Sequence, residues 1–319
     1  MASKDATETV TADAAGIARA ARILREGGLV AVPTETVYGL AARADSAQAV
    51  ARIYEAKGRP SFNPLIVHVR DTAQARNYAR LVGAAERLAR EEWPGPLTLV
   101  LPLREDASLA PAVTAGLATV ALRAPAHPAM RGLLKACDFP LAAPSANRSG
   151  FISPTSAAHV RQSLDGRIDL ILDADELACR AGLESTILAI REDGSWEELR
   201  PGPIDVDELA RRHRGDLPTV GGGARAIEAP GQLASHYAPG KPVRLGATTA
   251  ARDEFLIGFG GVEGACMLSA SGSLAEAAAN LYACLYTAAG SEKPRIAVAP
   301  IPETGIGVAI NDRLRRAAA

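Results

Sequence analysis

From residue 13 to residue 213 short apolar runs alternate with helically spaced segments, and that rhythm restricts the fold more than any single motif does. The runs at 29–32, 65–69, 97–103, 118–122, 140–143, 168–172 and 183–190 read as strands. Between them, Ile17, Ala20, Ala21 and Leu24 repeat at helical spacing and stop at Gly27-Gly28. Ala49, Val50, Ile53 and Tyr54 share one helical face behind Ser46, a capping residue. Residues 71–92 predict one or two helices, ended by Trp93-Pro94-Gly95-Pro96; further helices are expected from Pro154 and over 205–213. Strands alternating with helices in this way imply an α/β fold around a mostly parallel or mixed sheet. Residues 1–12 are polar and predict a frayed start.

The rhythm fails over 214–241, where Gly221-Gly222-Gly223, Pro230-Gly231 and Pro239-Gly240 frame a segment without hydrophobic periodicity. Beyond this linker, strands are expected at 243–245, 255–259, 265–269 and 295–299, with helices over 275–288 and 306–316. The reading is therefore one unit at 13–213, a linker at 214–241 and a small three-layer α/β unit at 242–319. A length of 319 residues agrees, because single cores rarely grow beyond about 250 residues. A net charge of −1 argues against a dedicated nucleic-acid binder, which carries a basic footprint. Cys137, Cys179, Cys266 and Cys284 have no metal-ligand spacing and read as reduced, packed thiols. No secretory pattern and no membrane-spanning apolar run is present, so a cytoplasmic protein is expected.

Chemistry concentrates where the first strand runs out into Pro33-Thr34-Glu35-Thr36-Val37-Tyr38-Gly39-Leu40. The helix that follows ends in Lys57-Gly58-Arg59, and Asn63-Pro64-Leu65-Ile66-Val67-His68 leads into the next strand. Small polar groups at strand ends beside paired cations describe a phosphate or carboxylate pocket. Lys57 and Arg59 have a plainer explanation, as cations balancing a helix C-terminus. Either way they are expected to face water-filled space, so that replacing them costs little stability. His68 sits in an apolar run and could be a core histidine. Arg123 emerges from an apolar strand and needs a partner, for which a substrate carboxylate is the natural bidentate match. Ser145 and Asn147 follow another strand, and Ser153 precedes Pro154, where a helix N-terminus would attract an anion or Ser153 would serve only as its cap. Thr119 could be ordinary surface. Neither a P-loop nor a dinucleotide fingerprint occurs, since Gly258, Gly260 and Gly264 miss the required spacing. No Ser-His-Asp or Cys-His set suggests a covalent intermediate.

These stretches, with Ser145-Ala146-Asn147, Ser185-Thr186, Arg200-Pro201-Gly202 and His236-Tyr237-Ala238-Pro239, resemble the threonylcarbamoyl-AMP synthases. The resemblance is dense from residue 13 to 240 and continues beyond only by position and length. It implies a twisted mixed sheet of the YrdC-like type followed by a smaller Rossmann-like unit. It implies an enzyme joining L-threonine, bicarbonate and ATP into threonylcarbamoyl-AMP and pyrophosphate, for threonylcarbamoyladenosine in tRNA. Carried over by motif, Thr36, His68, Arg123, Ala143 and Ser185 would hold threonine. Arg59, Asn63, Thr119, Ser145, Ser153, Arg200 and Tyr237 would hold ATP, with Lys57 and Asn147 completing the catalytic set of Lys57, Arg59, Ser145 and Asn147. Mg2+ would come on the phosphates, since no carboxylate cluster resembles a protein-held metal site. A downstream tRNA transferase complex is the implied partner, with weak or no direct tRNA binding. The linker is expected to fold over the pocket mouth as a lid, Tyr237 reaching the nucleotide. Two other readings stay open: a double-stranded RNA or tRNA-binding module, and a carbamoyl-transfer module, which would carry cysteine pairs that this chain lacks.

Overall fold

The computed structural model describes residues 6–174, 179–191, 195–213, 228–230 and 236–319. The first part of the chain builds a mixed sheet of ten strands. These are β1 (Glu8–Thr11), β2 (Val30–Val32), β3 (Gly39–Arg43), β4 (Ile66–His68), β5 (Leu97–Pro102), β6 (Thr119–Arg123), β7 (Leu141–Ala142), β8 (Leu170–Asp173), β9 (Thr186–Ile190) and β10 (Trp196–Arg200). Their order across the sheet is β1-β8-β2-β3-β7-β4-β6-β5-β9-β10. The second part forms a wholly parallel four-stranded sheet, ordered β11 (Val243–Arg244), β14 (Arg295–Val298), β12 (Glu254–Gly258), β13 (Cys266–Met267).

Helix α1 (Ala14–Arg25) is capped by Asp13, whose side chain accepts from Gly16 N, and α2 (Ala47–Lys57) is capped by Ser46. Gly58 closes α2 at φ 60°, a left-handed conformation that costs glycine nothing, and so turns the chain sharply between Lys57 and Arg59. The 71–92 segment resolves into two helices, α3 (Thr72–Ala75) and α4 (Ala84–Glu92). One face of the large sheet carries the main core, in which Leu40, Val67, Leu99 and Leu122 meet Val50, Ile53 and Leu88 from the helices. On the opposite face Val30, Ala41, Leu141 and Leu170 pack under Leu24, Met130 and Leu133, and beside them lies a smaller apolar cluster of Ile66, Val100, Ala121, Ile187 and Ala189, with Ala229 of the linker on it. That second face is the floor on which the site is built.

Several elements depart from the sequence reading. The polar start is not frayed at 8–11: β1 pairs in parallel with β8 at the sheet edge, where polar side chains such as Glu8, Thr9 and Thr11 are tolerated. Strand β3 goes unmarked in the sequence because its Gly-Leu-Ala-Ala core, buried on both faces, shows no alternation. Helices α5 (Pro111–Thr114) and α6 (Pro128–Ala136) and strand β10 were likewise unmarked. Helix α7 (Ala157–Leu164) starts three residues beyond Pro154 and is capped by Ser156, not Ser153. The remaining helices are α8 (Val206–Arg212), α9 (Leu274–Gly290) and α10 (Ile306–Ala317). Two thiols expected to be reduced are joined: Cys266 of β13 and Cys284 of α9 form a disulfide, with Cα atoms 5.9 Å apart, while Cys137 and Cys179 are free and buried. Spacing could not reveal a pair brought together by a strand lying under a helix. Of the expected linker, 214–227 and 231–235 lie outside the described residues. Among the described residues no helix is long and apolar enough to cross a membrane.

Candidate active site

Strands β2 and β3 form an antiparallel hairpin whose loop, residues 33–38, rises over the cavity end of the sheet. Its hydroxyls form a relay with one consistent direction. Arg123 Nη1 donates to Thr36 Oγ1 at 2.9 Å, Thr34 and Thr36 Oγ1 atoms are 2.8 Å apart, and Thr34 Oγ1 donates to Val37 O at 2.7 Å. Thr36 must then give its proton to Thr34. Parallel pairing of β4 with β6 sets His68 beside Arg123. Arg123 is itself held by Glu35 Oε1 at 2.6 Å and by the Gly95 carbonyl at 3.2 Å, so three of its five N–H groups are used and each terminal nitrogen keeps one. Glu35 accepts from the Ala126 and His127 amides through its other oxygen. Burial opposes its charge, but Arg123 and those amides hold its carboxyl below the ordinary range.

His68 is buried, with Nδ1 unpartnered. Burial, then the Arg123 charge, lowers its pKa to about 3, so the imidazole is neutral. Arg59, almost wholly buried, donates from Nε to Asn63 O (3.2 Å) and from Nη2 to Pro64 O (2.9 Å). Burial lowers its pKa to about 10, which still leaves it charged at neutral pH. Asn63 Oδ1 is buried nearby without a partner. An orphaned polar atom on the cavity wall, His68 Nδ1, is a physical signal of a ligand site, since buried polar groups are otherwise paired.

Lys57 corrects an expectation. It does not face open water but is 3% exposed, donating to Ser145 O and Asn147 O at 2.5 Å each and to Asn147 Oδ1 at 3.3 Å. Burial, then Arg59, pushes its pKa well below the ordinary lysine value, while three oxygen acceptors need three N–H donors and so favour the ammonium. Asn147 gives Nδ2 to Phe151 O at 2.7 Å. Lys57 and Asn147 thus pin the loop after β7 instead of lining the cavity.

On the far wall, Arg200 donates from Nε and Nη2 to Ser185 O and from Nη2 to Ser185 Oγ, which lies 2.7 Å from Thr98 Oγ1. Tyr237 adopts φ 64° and is buried, its ring stacked near that of Tyr282.

The resulting cavity is lined by Thr36, Arg59, His68, Arg123, Ala143, Ser145, Ser185, Arg200 and Tyr237 among the expected residues. Asn63, Ser153, Lys57 and Asn147 stand outside the lining. Thr119 does too, although strand alternation puts it on the same face as Ala121 and Arg123. The sequence reading missed Thr34, His236 and Glu184 in the lining. Glu184 is the surprising one, a buried carboxylate in a wall otherwise carrying three arginines. Its only mark in the sequence is a charged residue two positions before the apolar strand β9.

A family model described as "Telomere recombination" matches residues 22–202, and one described as "Threonylcarbamoyl-AMP synthase, C-terminal domain" matches 204–319. A threonylcarbamoyl-AMP synthase of Bacillus subtilis is 40% identical over 98% of this chain and 96% of its own length. The chain belongs to the threonylcarbamoyl-AMP synthase family. Its relatives in that family are enzymes. The Pyrococcus abyssi synthase is 39% identical over 93% of this chain and 92% of its own. A crystal structure of P. abyssi Sua5 complexed with L-threonine superposes with a TM-score of 0.87 at 36% identity, covering 98% of this chain and 96% of that one. A variant of that protein with an adjacent His and Tyr replaced by Ala gives 0.86. Escherichia coli YciO, at 21% identity and a TM-score of 0.54 over 63% of this chain, shares the fold of the large sheet. The expected α/β class, with a large mixed sheet and a second parallel one, is borne out.

Proposed function

We propose that the cavity makes threonylcarbamoyl-AMP and pyrophosphate from L-threonine, bicarbonate and ATP, to supply the threonylcarbamoyladenosine modification of tRNA. The observation that carries the reading is the division of the cavity into two anion-reading ends. At one end Arg123 keeps an N–H on each terminal nitrogen beside the hydroxyl relay of Thr36 and the open Nδ1 of neutral His68. That set matches the carboxylate, hydroxyl and amine of one small amino acid, with Ala143 and Ser185 closing its walls. At the other end Arg59, Ser145, Arg200 and Tyr237 converge as a site for a nucleotide, with Asn63 hydrogen-bonded to Arg59 and Ser153 to Glu184 behind the wall; Thr119, outside the lining, joins this set only by the family's motif. A bidentate arginine at each anion gives orientation as well as charge.

The chemistry needs a neutral threonine amine: bicarbonate can take the ammonium proton as it loses water, while the neutral imidazole of His68, which burial and the Arg123 charge keep unprotonated, accepts a hydrogen bond from the amine at Nδ1. The amine nitrogen then bonds to the carbon of CO2, formed from bicarbonate with loss of water, giving a carbamate. A carbamate oxygen attacks the α-phosphorus, and the bond to the pyrophosphate oxygen breaks. Charge gathers on the phosphoryl oxygens during that step, where Arg59 opposes it, and Lys57 fixes the Ser145 loop against which they lie. Among the described residues no His, Cys, Asp or Glu group could hold a metal ion, and both nearby carboxylates are engaged by arginines. Mg2+ would be borne by the phosphates.

We further read 13–213 as the catalytic unit, 214–241 as a linker that brings Tyr237 over the nucleotide, and 242–319 as its support. The product, a mixed anhydride, hydrolyses readily, which calls for hand-over to a tRNA transferase complex in the cytoplasm; the Cys266–Cys284 disulfide is the feature that argues against a reducing compartment. Mass detection of threonylcarbamoyl-AMP from purified protein, ATP, threonine and labelled bicarbonate tests the reading. Absence of the labelled adduct from folded protein refutes it.

A further inference from the structure

Among the described residues Arg313 is the largest fully buried side chain, yet it lies in α10, outside the cavity lining. A buried guanidinium costs several kcal/mol to desolvate unless every N–H is matched, so its partners show what it is for. Nε donates to Glu184 Oε2 at 2.9 Å, Nη2 to the Pro201 carbonyl at 2.9 Å, and Nη1 to Asp312 at 2.6 Å. The first two partners adjoin Ser185 and Arg200 in sequence. Those segments are pressed together: a Cβ on Gly202 would come within 2.3 Å of Thr186 N. Arg313 therefore clamps the carboxylate of one cavity segment to the backbone of the other.

The other oxygen of Glu184 accepts from Ser153 Oγ at 2.5 Å, while Oε2 also accepts from Tyr282 of α9 at 2.8 Å. With its proton committed to Glu184, Ser153 can only accept a hydrogen bond from a ligand. The same guanidinium lies 5.4 Å from the Tyr237 ring centroid, with Arg316 at 5.6 Å, and His236 N donates to Arg316 O. One turn of α10 thus holds two groups of the cavity wall, Glu184 and the left-handed Tyr237, and through Glu184 it also holds Ser153 just behind that wall.

We propose that Arg313 is a positioning residue for the nucleotide end of the cavity, acting through Glu184 to fix Ser153 and to neutralise the one carboxylate that faces an incoming polyphosphate. The inference rests on the functional reading above, and it gives the C-terminal unit a role in substrate affinity. Without Arg313, Glu184 would stand as an uncompensated anion in a wall meant for phosphates. The threonine end would be spared, because Ser185 is held by Arg200 and Thr98, and Arg123 by Glu35, Thr36 and Gly95.

Calorimetric titration of the full chain with a non-hydrolysable ATP analogue and, separately, with L-threonine tests this. Arg313→Met should weaken the analogue by roughly ten- to a hundredfold, the loss of one charge-assisted bond, and leave threonine at its wild-type affinity. Adding Glu184→Gln to that variant should restore most of the nucleotide affinity, since no unpaired charge remains. Parallel loss of both ligands, or a double variant no better than the single one, overturns the proposal. Should Arg313→Met fail to fold, Arg313→Lys keeps the charge without the fork and should still show the nucleotide-specific loss. Wild-type affinity for the analogue in folded Arg313→Lys overturns it equally. Wild-type protein that binds neither ligand would instead sink the functional reading beneath it.

Discussion

Lys57→Met is the substitution for which the structure and the sequence give opposite forecasts. A helix-end lysine in open water contributes under about 1 kcal/mol, and its loss would scarcely move a melting curve. The observed ammonium is instead enclosed and donates to two main-chain carbonyls and one amide oxygen, all in the loop after β7. Methionine fills nearly the same volume but donates nothing, so three buried acceptors lose their partner. An orphaned buried acceptor costs about 1–3 kcal/mol, and breaking a buried charged network about 3–5 kcal/mol in all. Taking the latter figure, and about 2–4 °C per kcal/mol for a unit of this size, the large-sheet domain should melt roughly 6–20 °C lower. Differential scanning calorimetry of the full chain separates that transition from the C-terminal one, and threonine affinity measured well below the transition should fall only modestly. A transition unmoved by more than about 2 °C would refute the argument that Lys57 is a loop anchor.

Arg123→Ala should weaken threonine by about 2–5 kcal/mol, roughly 30- to several-thousandfold, and the nucleotide far less, as read by titration calorimetry; unchanged threonine affinity excludes the assignment. Acid should destabilise the protein before its carboxylates titrate. His68 and His236 are held neutral by burial with pKa values of about 3, against 6.5 in an unfolded chain. Each therefore contributes stability that is complete above pH 6.5 and is lost toward pH 3, at about 1.4 kcal/mol per pH unit. His236→Asn should flatten the slope of urea stability between pH 6.5 and 4.5 by that amount; an unaltered slope counts against it. Alkylation of unreduced, denatured protein should leave Cys266 and Cys284 unmodified while Cys137 and Cys179 react. Reduction should then lower the stability of the C-terminal unit by about 3 kcal/mol, the loop-closure value for a separation of 18 residues. Labelling of all four cysteines before reduction would show that the pair is not joined.

The strand and helix rhythm was legible because each buried run of the large sheet had to be apolar, and the helices between them had to bury one stripe. What stayed hidden was set by pairing across the sheet. Strand β3 has no alternation to detect, because both its faces are covered. Strand β1 is polar enough to pass for a loose end until β8 is placed beside it. In the site, Arg123 and His68 could be named from the sequence, but their adjacency comes only from the parallel register of β4 and β6. Glu35 stood in the motif without a task until Arg123 was seen against it. Glu184 and Arg313 are 129 positions apart, and neither has meaning without the other.

A last question is how a chain of net charge −1 sustains a cavity for two anions. The answer lies in what the buried cations are bonded to. Lys57 is held by Ser145 and Asn147 carbonyls, Arg59 by those of Asn63 and Pro64, and Arg200 by those of Ser185 and Pro230. A carbonyl satisfies an N–H and stabilises the charge through its dipole, yet it does not cancel that charge. A carboxylate would do both, and would leave the cavity electrically spent before a substrate arrived. Of Lys57, Arg59, Arg123, Arg200 and Arg313, the two that pair with a carboxylate are Arg123 and Arg313. For Arg123 that carboxylate, Glu35, leaves two N–H groups free to address a ligand; for Arg313 the pairing exists to silence Glu184. Main-chain carbonyls carry no signature in an amino-acid sequence, so the field of this cavity belongs to the fold, and the net charge that argued against a nucleic-acid binder could not have revealed it.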